Sequence, residues 1–109
     1  MSAEGSAALV RLIAILESAR GRKPMYFSPV EPKAVEYWLG GLRAGCSLAG
    51  LEWSPEHRRP ALERRGLKPL AAWETEQLAG RGLGLEAIVD ELLAIEVEMW
   101  QHAGELGVG

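Results

Sequence analysis

The stretch Leu85-Glu86-Ala87-Ile88-Val89-Asp90-Glu91-Leu92-Leu93-Ala94-Ile95-Glu96-Val97-Glu98-Met99-Trp100-Gln101-His102-Ala103 decides the fold. Leu85, Ile88, Leu92, Ile95, Met99 and Ala103 fall three or four residues apart, and Val89, Leu93, Glu96 and Trp100 form the adjacent line. Apolar side chains at that spacing share one side of an α-helix. At about 1.5 Å per residue, roughly eighteen residues make a rod of about 27 Å, long enough to cross a small domain. Glu96 breaks the apolar pattern between Leu92 and Trp100. An unpaired carboxylate at a buried position is costly. Glu96 is therefore expected to be a buried polar residue held by a Tyr hydroxyl or an arginine, with Arg43 or Arg20 as the candidates.

Outward from this helix the chain reads as more helices. Leu9, Leu12, Ile13, Leu16 and Arg20 mark one face of the first, widened by Val10 and Ile15, with Ser6 as its cap and Gly21 as its stop. Pro24 and Pro29 each disfavour helical geometry in the residue before them. Met25, Tyr26 and Phe27 lie between these prolines, so residues 25–29 are predicted to form a short extended strap across the core. A second long helix starts at Glu31-Pro32, with Val35, Trp38, Leu39, Leu42, Cys46 and Ala49 inward and Gly50 as a left-handed cap.

Along another line of that helix, Tyr37, Gly41, Gly45 and Ala49 are spaced by four. Each interior glycine costs about 1 kcal/mol relative to alanine. Gly41, Gly45 and Ala49 are accordingly predicted to be a packing stripe approached closely by another helix.

Ser54-Pro55-Glu56 signals the next start, Pro60 limits the run to short turns, and Gly66 stops it. After Pro69 a short helix is predicted over residues 70–78, carrying Trp73. Gly80-Arg81-Gly82-Leu83-Gly84 reads as a loop rather than a phosphate cradle, because no strand precedes it and no Gly-Lys-Ser/Thr ending follows. The fold class is all-α: one helical domain over residues 1–109, built as an irregular four- to five-helix bundle with the strap near 25–29.

A length of 109 residues, 48% of them apolar and 25% charged, is ordinary for one globular domain. Charge interrupts every apolar run well short of the roughly 20 residues a membrane span needs. The N-terminus lacks a basic signal region, so a cytoplasmic location is expected. A single cysteine, Cys46, excludes an internal disulfide framework and a cysteine-based zinc cluster.

The net charge of −3 argues against general nucleic-acid binding, but it is unevenly spread. Between residues 54 and 70, Arg58, Arg59, Arg64, Arg65 and Lys68 face only Glu56 and Glu63. From residue 85 onward Glu86, Asp90, Glu91, Glu96, Glu98 and Glu105 face no Lys or Arg. The basic middle and acidic end are expected to attract each other within the fold or across a dimer.

Chemistry-bearing constellations are sparse, and nothing identifies an enzyme. Glu86 with Asp90 and Glu91 with Glu98 share sides of the last helix, where a solvated acidic face is the simpler reading than acid/base work. Glu98 and His102 have metal-compatible i, i+4 spacing, but one such pair falls short of a helical di-metal set. A surface ion pair is expected there, and no metal or cofactor is assigned. No serine sits in a nucleophile-elbow motif.

Arg58, Arg59, Arg64 and Arg65 form the most legible candidate contact surface. It suits an acidic protein surface better than the phosphates of a nucleic acid, for which Trp53 or Trp73 would supply stacking.

The passage Gly21-Arg22-Lys23-Pro24-Met25-Tyr26-Phe27, followed by a helix ending Leu39-Gly40-Gly41-Leu42-Arg43, resembles small uncharacterised bacterial helical proteins. In those proteins an Arg-Pro-Gly-Met-Tyr stretch introduces a second helix. Here Lys23-Pro24 runs straight to Met25 with no intervening glycine, and the resemblance covers about a third of the chain. It implies an accessory or immunity role and carries over no catalytic residue.

The leading expectation is a non-enzymatic interaction module of a bacterial cytoplasm, acting as a homodimer or on another protein. The alternatives are a small-molecule binder or enzyme with a pocket around Tyr26, Tyr37, Trp38 and Trp100 with Glu96 or Arg43 at its base, and a nucleic-acid binder using the arginine segment.

Overall fold

The computed structural model describes residues 3–70 and 72–106, and every regular element among them is helical. The helices are α1 (Ala3–Gly21), α2 (Lys23–Tyr26), α3 (Pro32–Leu48), α4 (Pro55–Arg64), α5 (Thr75–Gly80) and α6 (Leu85–Glu105). The expected all-α bundle is present, with one more short helix than anticipated.

α6 is its axis. Helices α1, α3, α4 and α5 all pack against it, and residues 92–97 are buried without interruption. A helix covered on most sides in this way must be apolar around most of its circumference. The two adjacent apolar lines in its sequence meet that demand, although Leu85, at its first position, is 61% exposed.

Local chemistry sets the boundaries. Pro32 and Pro55 sit in the first turns of α3 and α4, where a missing N–H costs nothing. His57 Nδ1 accepts the Ser54 N–H at 3.2 Å, satisfying one donor at the start of α4. α3 and α4 end alike: Gly50 (φ +88°) and Gly66 (φ +67°) take the left-handed conformation that glycine tolerates. The following N–H groups then turn back, Leu51 to the Cys46 carbonyl at 2.8 Å and Leu67 to the Leu62 carbonyl at 2.9 Å. Leu51 and Leu67 are both buried, so each cap also directs a leucine into the core.

Several expectations are corrected. Ser6 lies inside α1 rather than capping it. Pro60 sits within α4 on its exposed side instead of breaking the helix. The strap is helical at its start: Lys23–Tyr26 forms one turn, closed by the Phe27 N–H on the Lys23 carbonyl at 2.8 Å. Pro24 explains this, since its fixed φ suits a first helical turn as well as an extended chain. Of the three large side chains only Phe27 is buried, edge-on to Trp38 at 5.4 Å, while Met25 is 75% exposed.

The helix predicted over 70–78 begins at Thr75, leaving Trp73 in irregular chain; Ala71 lies outside the described residues. The packing stripe is also corrected. A Cβ built on Gly41 or Gly45 meets nothing within 4 Å, and Ala49 is exposed. The close helix approach occurs instead at Gly104, where a Cβ would lie 2.7 Å from Leu9 Cδ2 of α1.

Candidate functional site

The inward line of α3 runs Val35, Leu39, Arg43 and Cys46, so the helix that delivers apolar side chains to α6 also delivers a guanidinium. Arg43 grips Glu96 with two hydrogen bonds, Nε to Oε2 at 2.7 Å and Nη2 to Oε1 at 2.6 Å. This side-on geometry is the strong form of an arginine–carboxylate pair. Glu96 is 0% exposed, as its place in the apolar line required. Arg20, the other candidate partner, pairs with Asp90 instead, near the exit of α1.

A second buried pair lies alongside. Arg58 of α4 donates through Nη2 to Oε1 of Glu74, which is likewise 0% exposed, just ahead of α5. Two indoles join the pairs. The Arg43 Cζ lies 4.2 Å from the Trp53 ring centre and 4.5 Å from that of Trp73, and Arg58 Cζ lies 5.7 Å from Trp73. Cation–π attraction strengthens when the cation is desolvated, and both arginine side chains are only 10% exposed.

A cavity of about 260 Å³ opens against this centre, lined by Arg43, Arg58, Trp53, Trp73, Leu62 and Leu70 among others. Neither glutamate lines it. Three buried polar atoms have no hydrogen-bond partner among the described residues: Arg58 Nε, Glu74 Oε2 and Trp100 Nε1. Also among the described residues, no three His, Cys, Asp or Glu side chains converge as a metal site would require.

The arginine segment does not present a free cationic strip. Arg58 is committed to Glu74 inside the fold. Arg65 reaches Glu91 at 2.7 Å and Glu98 at 3.0 Å, Arg64 also pairs with Glu98, and Arg59 pairs with Glu56 at 2.7 Å. The basic middle and acidic end therefore meet within the fold, because α4 packs along α6. Hydrogen bonding to Arg65 holds the Glu98 carboxyl below its ordinary range, and Glu98 in turn raises Arg65. The expected Glu98–His102 pair is replaced: His102 faces Glu105 at 3.5 Å.

The pocket anticipated around Tyr26, Tyr37, Trp38 and Trp100 is not assembled. Tyr37 is 74% exposed, Trp100 is 1% exposed, and Tyr26 packs edge-on against Trp38 at 5.8 Å. Arg43 does border a cavity, but with Trp53 and Trp73, which the sequence offered only as stacking groups for bases. Glu74 falls within the segment read as a short helix over residues 70–78, and nothing in that pattern marks it as buried.

A second feature involves the glycine stripe. α1 and α3 both rest on α6 and leave between them a groove of about 340 Å³, lined by Leu12, Ile15, Gly41, Leu42, Gly45 and Cys46 among others. Arg11 is the one charged residue along it among the described residues. Burial, with a smaller contribution from the Glu96 charge, pushes the Cys46 thiol above its ordinary value, the opposite of an activated nucleophile.

No family model, curated protein or solved structure matches this chain.

Proposed function

We propose that the protein is a non-enzymatic interaction module of the cytoplasm that pairs with a second copy of itself through the groove between α1 and α3. The observation that carries this reading is that Gly41 and Gly45 lie open along an apolar groove. Interior helix glycines cost about 1 kcal/mol each, and the packing of the chain's own described residues does not use these two.

The surroundings favour a like partner. Ile15 lines the groove and is 43% exposed, so the same face carries an apolar ridge beside an apolar hollow. A two-fold interface needs both on one patch, because each copy presents the same surface to the other. A standard interface covers about 800 Å² per partner. Two helices of 19 and 17 residues present a face long enough for that. No helix among the described residues is long and apolar enough to cross a membrane, which is compatible with a partner met in aqueous surroundings.

Light scattering at low and high salt tests the reading. A dimer whose mass is insensitive to salt is expected, since the groove is apolar. Gly45→Glu should leave the helical signal and melting intact, because its Cβ enters open space, while converting the dimer to monomer. A wild-type monomer at tens of micromolar, or a Gly45→Glu dimer of unchanged affinity, would sink the proposal.

A further inference from the structure

We infer that the cavity beside Arg43 and Arg58 is a binding site for a small organic carboxylate with an apolar body.

The wall chemistry sets the ligand class. Guanidinium groups are donors without acceptor capacity. Arg43 spends Nε and Nη2 on Glu96, and Arg58 spends Nη2 on Glu74. Nη1 of each donates to nothing among the described residues, whereas the buried Arg58 Nε lies on the guanidinium edge that already faces Glu74. The two charged side chains lining the cavity therefore present donors alone, and a ligand that satisfies them must bring acceptors.

The field has the same sense. Glu96 and Glu74 are fully buried and do not line the cavity, whereas their arginine partners do. Each pair thus turns its positive end toward the opening. The second hydrogen of Nη2 and one of Nη1 form the end-on fork of each guanidinium, which a carboxylate matches with two parallel hydrogen bonds.

The donors are also fixed in advance. Each arginine side chain is nine-tenths buried, clamped by a carboxylate and stacked near Trp73. Binding need not order them, which removes a large part of the entropic cost of association.

Size and walls supply the rest. A cavity of about 150 Å³ accepts benzene. By proportion, about 260 Å³ accommodates a body of roughly ten non-hydrogen atoms. Trp73, Leu62 and Leu70 are the apolar surfaces against which it would lie. The site is separate from the α1–α3 groove, so its occupancy does not depend on dimer formation.

The test is titration of the intact protein with phenylacetate, followed by tryptophan fluorescence and by calorimetry, beside 2-phenylethanol and acetate as controls. Saturable phenylacetate binding at least tenfold tighter than either control is expected, since one control lacks the carboxylate and the other the apolar body. Leu70→Glu changes a side chain that is 57% exposed; it should weaken binding at least tenfold without altering the melting temperature. Arg58→Met combined with Glu74→Leu removes one pair as a unit and should also weaken binding at least tenfold in a chain that still folds. Absence of saturable phenylacetate binding, equal affinity for 2-phenylethanol, or unchanged binding in Leu70→Glu would each overturn the inference.

Discussion

Glu96 and Glu98 stand two residues apart on α6 and live in different solvents. Glu96 faces α3, is 0% exposed and has one arginine gripping it side-on. Glu98 faces α4, its side chain is 21% exposed, and it shares Arg65 with Glu91 while also meeting Arg64 at the surface. Two residues turn a helix by about 200°, so one glutamate enters the centre of the bundle and the other its edge. Residue type and helix are the same for both, and the energetic difference comes from what lies on the other side. Removing the inner partner strands a charge, whereas removing an outer one lets water in.

The largest effect is expected from Arg43→Met. Left alone in the core, Glu96 should cost about 3–5 kcal/mol of unfolding free energy, read from urea denaturation. Replacing both members, Arg43→Met with Glu96→Leu, should recover most of that loss, because no charge remains to be desolvated. A double variant as unstable as the single one would break the comparison, transferring the stabilisation from the ion pair to the Trp53 and Trp73 stack on Arg43.

Arg65→Met is next. It releases two part-exposed carboxylates that water can resolvate, so about 1 kcal/mol is expected in the same assay. A loss equal to that of Arg43→Met would show the edge to be as dry as the centre.

Acid sharpens the contrast further. The ordinary carboxyl values are 4.5 for Glu98 and 3.8 for Asp90, and both groups lie lower in the fold. For Glu98 the cause is chiefly the Arg65 hydrogen bond. For Asp90, burial opposes the shift but is outweighed by Arg20 and Lys23 together. A depressed carboxyl adds stability that is complete above its unfolded value and lost as pH falls through the folded one. Stability should therefore decline below about pH 4.5, and Arg65→Met should flatten that decline. An unchanged pH profile in the variant would remove Glu98 from the account.

Arg64→Ala is expected to have the smallest effect, at most about 0.5 kcal/mol, and to vanish in molar salt. The Arg64 side chain is 67% exposed.

The regular part of the fold was legible. Periodicity over residues 85–103 located α6, and Pro32, Gly50, Pro55 and Gly66 located the ends of α3 and α4, because proline and glycine act through backbone geometry that needs no tertiary partner. Glu96 was legible as a buried polar residue for the same reason, being a charge in an apolar line. The site was only half visible. Trp53, Trp73 and Glu74 lie outside the helices, where no period sorts inward from outward. The glycine stripe is legible in the spacing but its neighbour is not: Gly41 and Gly45 face open space, and the close contact belongs to Gly104.

What the sequence determined by itself is therefore local: five of the six helical segments in outline, most of their ends, and which side chains share a face. These follow from the helical repeat and from backbone sterics within a few residues. Only the tertiary structure decided which faces meet. It chose Arg43 over Arg20 for Glu96, closed Arg64 and Arg65 onto Glu98, and set Trp73 against two buried guanidiniums. Pairings across 53 or 33 residues depend on how α1, α3 and α4 wrap around α6, and a repeat of 3.6 residues carries no record of that.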